Sequence, residues 1–234
     1  MEPQNEDLDI VDRLVEVKDG YEFGEGDNER GRLLQPLQVK GNLRRNLDFW
    51  IHIGAPKFIL SVIANGYCLP FQSTPVCISL NNNMSALKFK NFVEEAIEEL
   101  LLTNRVVEKL NPPYVVNPLS VSVQADGKKR LILDLRHVNK YLIKRKVKYE
   151  DWKVALAFFQ KDCYMVSFDL KSGYHHVEIY EDHQCFLGFS WKFRNGVTRY
   201  FVFTVLPFSL SSASHIFTKV LKPLEKYWRV LAST

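Results

Sequence analysis

Asp169 is the residue of this chain best placed to do chemistry. It follows the β-rich, mostly apolar run Tyr164-Met165-Val166-Ser167-Phe168 and precedes the turn-forming Leu170-Lys171-Ser172-Gly173, so it is the first charge at the end of a predicted strand. A carboxylate placed there is costly unless a cation or hydrogen-bond donors compensate it. A hard divalent ion such as Mg²⁺ supplies that compensation. The structural alternative is a carboxylate that caps the strand-end turn. Nearby, His175, His176, His183 and Cys185 superficially suggest zinc. Their spacing fits no standard structural zinc pattern, and His175 and His176 are expected on opposite faces of a strand. No Gly-rich phosphate loop and no Ser-His-Asp order supports an NTPase or a hydrolase.

A second concentration of chemistry is charge. Residues 128–148 carry nine Lys or Arg side chains against Asp134 as the one acid, a net +8. Residues 1–29 hold eleven acidic and two basic side chains, so the net +4 of the whole chain conceals a tail of −9 and a body of +13. Phosphates are the natural counter-charge for such a body. A solvated basic face without a ligand is the plainer alternative.

The elements that position these groups follow from pattern. The chain has 234 residues, 46% hydrophobic and 25% charged, which suits a globular protein with a sizeable core. Its start is acidic, and no apolar run approaches the roughly 20 residues of a membrane helix. We therefore expect neither secretion nor membrane insertion, but an intracellular protein, cytoplasmic or nuclear. Cys68, Cys77, Cys163 and Cys185 form no C-x-x-C pair and read as buried thiols in a reducing compartment.

Residues 1–31 read as a disordered acidic tail. Residues 57–65 have a helical pattern stopped by Gly66, and 67–79 form an extended connector. The clearest helix is expected to start at Ser85 as N-cap, with Phe92, Val93, Ala96, Ile97, Leu100 and Leu101 on one face and Glu94, Glu95, Glu98 and Glu99 on the solvated other. Residues 115–123 and 129–134 read as two strands joined by Gln124-Ala125-Asp126-Gly127, the Asp-Gly step marking a hairpin. A short helix is expected over 151–160. A second hairpin pairs 185–191 with 197–203 around Arg194-Asn195-Gly196. Beyond Pro207, a serine-rich lead-in opens a helix with Ile216, Phe217, Val220, Leu221 and Leu224 on its apolar side.

Four motifs in this order resemble a retroelement reverse transcriptase: Asn117-Pro118-Leu119-Ser120; Gly127 through Asn139 with Arg130, Asp134 and Arg136; Phe168-Asp169-Leu170-Lys171-Ser172-Gly173-Tyr174; and Leu206-Pro207-Phe208-Ser209-Leu210-Ser211-Ser212-Ala213. Their spelling is similar to that of DIRS- and Ngaro-type retrotransposons, from about Asn42 onward. The resemblance implies an α+β right-hand polymerase fold, with fingers and an incomplete palm. It divides the chain into the tail 1–31, an N-terminal extension 32–84, a fingers-like region with the basic hairpin 85–161 and a partial palm 162–234.

The implied chemistry is RNA-templated DNA synthesis with two Mg²⁺ ions, or Mn²⁺ in their place. Asp169 would be catalytic and a metal ligand, and the Leu170 carbonyl would hold the ion that travels with the triphosphate. Arg130, helped by Lys128 and Lys129, would hold the triphosphate of the dNTP. Tyr174 would crowd the sugar 2′ position as a steric gate, the alternative being a palm core residue, and Phe208 and Ser209 would support the nucleotide and template base. Asp134, Arg136 and Asn139 would be structural, pairing within the fingers or touching the template backbone, and the histidines core or template-facing. The implied partners are an RNA template, a DNA primer and their RNA–DNA hybrid, with no membrane.

Three departures from the family pattern bear on this. The strand before the hairpin has Val121, Val123 and Gln124 where a triphosphate lysine is usual. Ser209 stands for a glycine and Ser214 for a proline; glycine is common where a backbone must approach a ligand or take positive φ, so Ser209 is expected to impair the site. No adjacent Asp-Asp pair occurs in the sequence, and the thumb and RNase H regions are missing, so this chain alone is not expected to polymerise. The alternatives are a non-catalytic nucleic-acid-binding protein from a truncated or domesticated element, and a piece whose incomplete palm sheet exposes an edge.

Overall fold

The computed structural model describes residues 38–145, 147, 149, 153, 156 and 169–231. The acidic tail, the strand 164–168, Cys163 and all but two residues of the helix expected over 151–160 lie outside the described residues. Within them the helices are α1 (Asn42–Arg45), α2 (Leu47–His52), α3 (Lys57–Asn65), α4 (Met84–Lys88), α5 (Lys90–Leu102), α6 (Arg136–Asn139) and α7 (Ala213–Leu231). The strands are β1 (Ile78–Ser79), β2 (Val106–Lys109), β3 (Val115–Asn117), β4 (Leu119–Val123), β5 (Lys129–Leu133), β6 (Gly188–Lys192) and β7 (Thr198–Phe203). The class is α+β, as the sequence leads one to expect.

A five-stranded sheet runs β1-β3-β6-β7-β2, and β4 and β5 form a separate two-stranded ribbon. Pro118 explains why 115–123 is two strands rather than the single one expected. It has no N–H to donate to a ladder, and there the chain leaves β3, parallel to β6, and enters β4, antiparallel to β5. The freed Pro118 carbonyl accepts the Asp134 N–H at 2.8 Å. Asn117, fully buried, donates from Nδ2 to the carbonyls of Phe186 and Gly188 at 3.0 and 2.9 Å. The sheet joins β2 and β3 to β6 and β7, and so draws strands from both sides of the 161/162 division.

The core sits where β6 and β7 bring Phe189, Trp191, Phe201 and Phe203 together, all at most 2% exposed. Phe189 and Phe201 stack with centroids 5.1 Å apart. α5 lies against β2 and β5 and contributes Val93, Ala96, Ile97 and Leu100, each of the larger side chains stabilising by roughly 1.5–3 kcal/mol on burial. Its glutamates are not all idle: Glu94 takes the guanidinium of Arg194 at 3.5 Å. No helix among the described residues is long and apolar enough to cross a membrane.

Four local expectations are corrected. The helix at 84 is not capped by Ser85: α4 begins at Met84 after Asn83, and the Ser85 Oγ is committed to accepting the Val121 N–H at 3.1 Å. A break at Phe89 then separates α4 from α5. Cys185 is not in a strand but in a 3₁₀ turn, Glu181–Phe186, and β6 starts at Gly188. His175 and His176 also lie in a 3₁₀ turn, Gly173–His176, rather than on two faces of a strand. Finally, Cys68 and Cys77 are exposed and Cys185 half-buried, because the extended connector lies along the surface.

Gly66 ends α3 at φ 89°, and a Cβ there would stand 2.7 Å from the Ile179 carbonyl carbon and the Tyr180 nitrogen. Both the backbone conformation and the space exclude a side chain. Gly66→Ala is therefore expected to cost about 1–3 kcal/mol, read as a lowered urea midpoint. An unchanged midpoint would contradict this packing.

Candidate functional site

The site is assembled by a short ladder of backbone bonds. Ile179 donates to the Thr204 carbonyl and Leu206 to that of Val177, both at 2.9 Å. On the other side Tyr67 donates to Glu178 at 2.8 Å and Tyr180 to Tyr67 at 3.1 Å. The chain just before Val177 is thereby set beside the chain just after Leu206. Those two stretches are the Asp169 turn and the Pro207 loop.

In the turn, Gly173 donates to the Leu170 carbonyl at 3.0 Å, and Ser172 takes a left-handed backbone with φ 56°. Gly173 lets the turn approach α7 closely: a Cβ would stand 2.9 Å from Cζ of Phe217, so the ring would have to shift. Tyr174 then meets Phe208 at 4.6 Å and Phe217 at 4.9 Å between ring centroids. Its hydroxyl is hydrogen-bonded to Ser214 Oγ at 3.0 Å. His175, wholly buried, lies edge-on to Phe208 at 5.6 Å.

The Pro207 loop is held from the other flank by Asn139, the last residue of α6. Its Nδ2 donates to the Ser209 carbonyl and its Oδ1 accepts the Ser211 N–H, both at 2.9 Å. The Ser209 hydroxyl donates to the carbonyl of Leu133, the last residue of β5. Ser209 is not among the non-glycine residues with positive φ, so no left-handed backbone is asked of the serine there, and its side chain adds a bond to β5. Arg130 lies three residues back along β5, roughly 10 Å away.

The predicted site residues therefore fall into two groups. Asp169, Leu170, Tyr174, Phe208 and Ser209 are gathered by the ladder. Lys128, Lys129 and Arg130 sit on the β4–β5 hairpin, whose turn has Gly127 at φ 83°. Arg130 is 7% exposed. The Lys129 ammonium lies over the Phe89 ring at 5.5 Å, and Lys128 is exposed, 3.8 Å from Asp126. Sequence reasoning missed the double grip of Asn139 and the Ser214 contact. The departure of Ser214 from the family spelling was the one signal pointing to the latter.

Asp169 is exposed, so the desolvation cost expected at a strand end does not arise. The Leu170 carbonyl keeps a second lone pair beside its bond from Gly173. One carboxylate and one carbonyl are donors that suit Mg²⁺, which commonly rests on one or two carboxylates together with phosphate oxygens and water. Among the described residues no three His, Cys, Asp or Glu side chains cluster to hold an ion by themselves. The donor set fits an ion shared with a phosphate ligand.

Burial pushes His175 well below the ordinary histidine range, with the charges of Arg105 and His176 acting in the same sense. Burial also lowers His176 and His183. His183 instead uses Nδ1 to accept the Leu69 N–H at 2.8 Å. Hydrogen bonds from Arg136 hold the Asp134 carboxyl below its usual range, with Arg136 Nη2 at 2.6 Å. Asn83 adds a longer bond to Asp134 at 3.3 Å. The Asp134–Arg136 pair thus stiffens the start of α6, the helix that carries Asn139.

No protein-family model matches the chain. In sequence it is 31% identical over 132 residues to the retrovirus-related Pol polyprotein from transposon 412 of Drosophila melanogaster, covering 54% of this chain and 10% of that one. It is 29% identical over 136 residues to the retrovirus-related Pol polyprotein from transposon gypsy of the same organism, covering 56% and 13%. The matched chain thus spans a small part of these relatives. Among solved structures it is similar to the prototype foamy virus protease-reverse transcriptase, with TM-score 0.50 at 22% identity over 64% of this chain and 19% of that one. It is also similar to a foamy viral protease-reverse transcriptase bound to double-stranded DNA, with TM-score 0.53 at 18% identity over 84% and 37%. The fold is that of a reverse-transcriptase polymerase, and the sequence kinship is with retroelement Pol polyproteins.

Two outcomes follow from this geometry. Asn139→Ala removes both bonds to the 209–211 backbone and is expected to cost about 1–3 kcal/mol, measured by urea unfolding. For His175, the folded state refuses a proton that the unfolded state binds below about pH 6.5. Its contribution to stability is complete above that value and is lost as pH falls further, by up to about 1.4 kcal/mol per pH unit. The urea midpoint should therefore drop between about pH 7 and about pH 5, and His175→Gln should flatten that drop.

Proposed function

We propose that this chain forms the fingers and the nucleotide-facing part of the palm of a retroelement RNA-directed DNA polymerase, working within a longer product. One observation carries the reading. A single turn presents Asp169 to solvent and delivers Tyr174 against Phe208, on a loop that Asn139 ties to α6 and the Ser209 hydroxyl ties to the basic hairpin. Within the retroelements, the spelling of the motifs points to the DIRS and Ngaro type.

The roles follow from placement. Asp169 and the Leu170 carbonyl hold divalent metal, and the bound ions supply activation of the primer 3′-hydroxyl and neutralisation of the leaving pyrophosphate. Arg130, pre-positioned by its burial on β5, takes the triphosphate through a planar fork of donors, and Lys128 and Lys129 add charge at the hairpin. The Tyr174 ring excludes a 2′-hydroxyl by occupying its space. Phe208 backs that ring, and Ser209 fixes the loop to β5. The basic run from Lys128 onward attracts the phosphates of template, primer and hybrid.

The test is primer extension on an RNA template by the product of the whole reading frame that contains these residues. Asp169→Asn should lower Mg²⁺-dependent extension by at least about a hundredfold while leaving salt-sensitive binding of the RNA–DNA hybrid intact. Extension that survives Asp169→Asn would remove the catalytic assignment. A second reading rests on the +8 of residues 128–148, a non-catalytic nucleic-acid-binding role. Hybrid binding that weakens steeply with salt, with no extension by the wild-type product, would select it.

A further inference from the structure

Ser214 stands in the first turn of α7, and nothing about its residue type singles it out. Its Oγ nevertheless lies 3.0 Å from the Tyr174 hydroxyl, across 40 residues of sequence. The tyrosine ring is bracketed on its faces and edges by Phe208 at 4.6 Å and Phe217 at 4.9 Å. Those apolar contacts set the plane of the ring but are non-directional, so they tolerate a sideways swing of the whole side chain about χ1. The hydroxyl lies at the far end of the ring, on the axis about which the ring flips. A bond made there leaves flipping free and restrains the swing.

We propose that Ser214 is a positioning residue that fixes the lateral place of the Tyr174 ring and so sets how strictly the site rejects a ribose 2′-hydroxyl. This rests on the reading of Tyr174 as the residue facing the nucleotide sugar. Excluding a hydroxyl by packing depends on displacements smaller than the group excluded. A ring that swings by a fraction of an ångström admits it part of the time. Ser214 is itself well placed to hold such a ring. Its carbonyl accepts the Thr218 hydroxyl at 2.8 Å within α7, and α7 packs on the 3₁₀ turn that carries Tyr174. The tether thus links two elements already in contact, at the one polar atom of the tyrosine side chain. The role belongs to the hydroxyl alone: the ring edge is what the sugar meets, and the oxygen is directed to α7.

The experiment has two arms, both on the full chain. In the first, 3-fluorotyrosine is incorporated, the Tyr174 signal is assigned by its loss in Tyr174→Phe, and ¹⁹F spectra are compared. Ser214→Ala should shift and broaden that signal, and Ser214→Thr, which keeps a hydroxyl, should restore it. An unmoved signal in Ser214→Ala would overturn the positioning role. Ser214→Ala removes one part-buried bond near a helix start and leaves the Tyr174 ring packing in place, so the fold is expected to persist; retained cooperative unfolding checks this, and Tyr174→Phe, which breaks the same bond, carries the second arm if alanine does not fold.

In the second arm, the affinities of Mg²⁺-dUTP and Mg²⁺-UTP, which differ only at the sugar 2′ position, are compared on a dideoxy-terminated DNA primer annealed to RNA. The preference for dUTP should fall about three- to tenfold in Ser214→Ala, the span of one hydrogen bond of ordinary net strength, and return in Ser214→Thr. Tyr174→Phe should fall equally, and the double variant no further, because both changes break one bond. A preference unchanged by Ser214→Ala despite a moved ¹⁹F signal would overturn the link to sugar choice. If wild type and Tyr174→Ala show the same preference, the failure lies with the reading of Tyr174 itself, and the ¹⁹F arm still decides whether Ser214 holds the ring.

Discussion

The four backbone bonds around residues 177–180 are the constraint on which the site depends. They fix Val177 to Leu206 and Ile179 to Thr204 on one side, and Tyr67 to both Glu178 and Tyr180 on the other. Three segments far apart in sequence thereby become neighbours in one small patch. Two residues after Leu206 stands Phe208, and three before Val177 stands Tyr174, so the meeting of these rings is a matter of register before it is one of ring packing. The close approach of Gly66 to the Ile179 backbone shows how little slack the third segment has. Hydrogen bonds of this kind are modest individually. Their effect here is geometric, since each removes a direction in which the Asp169 turn could move.

Charge is arranged around that frame with a clear division. The groups that must stay uncharged are inside: His175 is buried beside Phe208, and its environment disfavours the imidazolium. Of the charged groups at the site, Asp169 and Lys128 are exposed and Asp134 is paired with Arg136, while Arg130 is buried on β5. A neutral imidazole adds no charge of its own behind the Phe208 ring. The Asp134–Arg136 pair is too exposed on the arginine side to add much stability. Its use is to orient α6, from which Asn139 reaches the loop.

Much of this was legible in the sequence where local chemistry leaves little choice. Asp126-Gly127 and Asn195-Gly196 place their hairpin turns because few residues besides glycine accept positive φ. The same property of Gly66 ends α3. The apolar stripe of α5 was legible because burial on one helical face has a period. Reasoning failed where a distant partner overrides local preference. Ser85 looks like a cap, but its oxygen serves Val121 in the hairpin. Residues 115–123 look like one strand, but the two halves answer to different sheets on either side of Pro118. The 3₁₀ turns at Gly173–His176 and Glu181–Phe186 carry β-compatible residues whose backbone is set by the ladder instead. The exposed Cys68 and Cys77 show that a residue type commonly buried follows its segment to the surface.

The two serines that depart from the family spelling bear on a larger question, whether the motif after Pro207 has lost its function. Replacing a glycine or a proline removes a backbone property, freedom in one case and restriction in the other. If nothing took its place, the loop would be less determined than in its relatives. Here each serine hydroxyl makes a bond that neither glycine nor proline can make: Ser209 to the Leu133 carbonyl and Ser214 to the Tyr174 hydroxyl. The first fixes the loop to the basic hairpin, and the second fixes α7 to the Asp169 turn. At both places a side-chain hydrogen bond supplies conformational control. Random decay has no reason to put hydroxyls within bonding distance of both flanks of one site, so the pattern favours a loop that is still held in a definite shape.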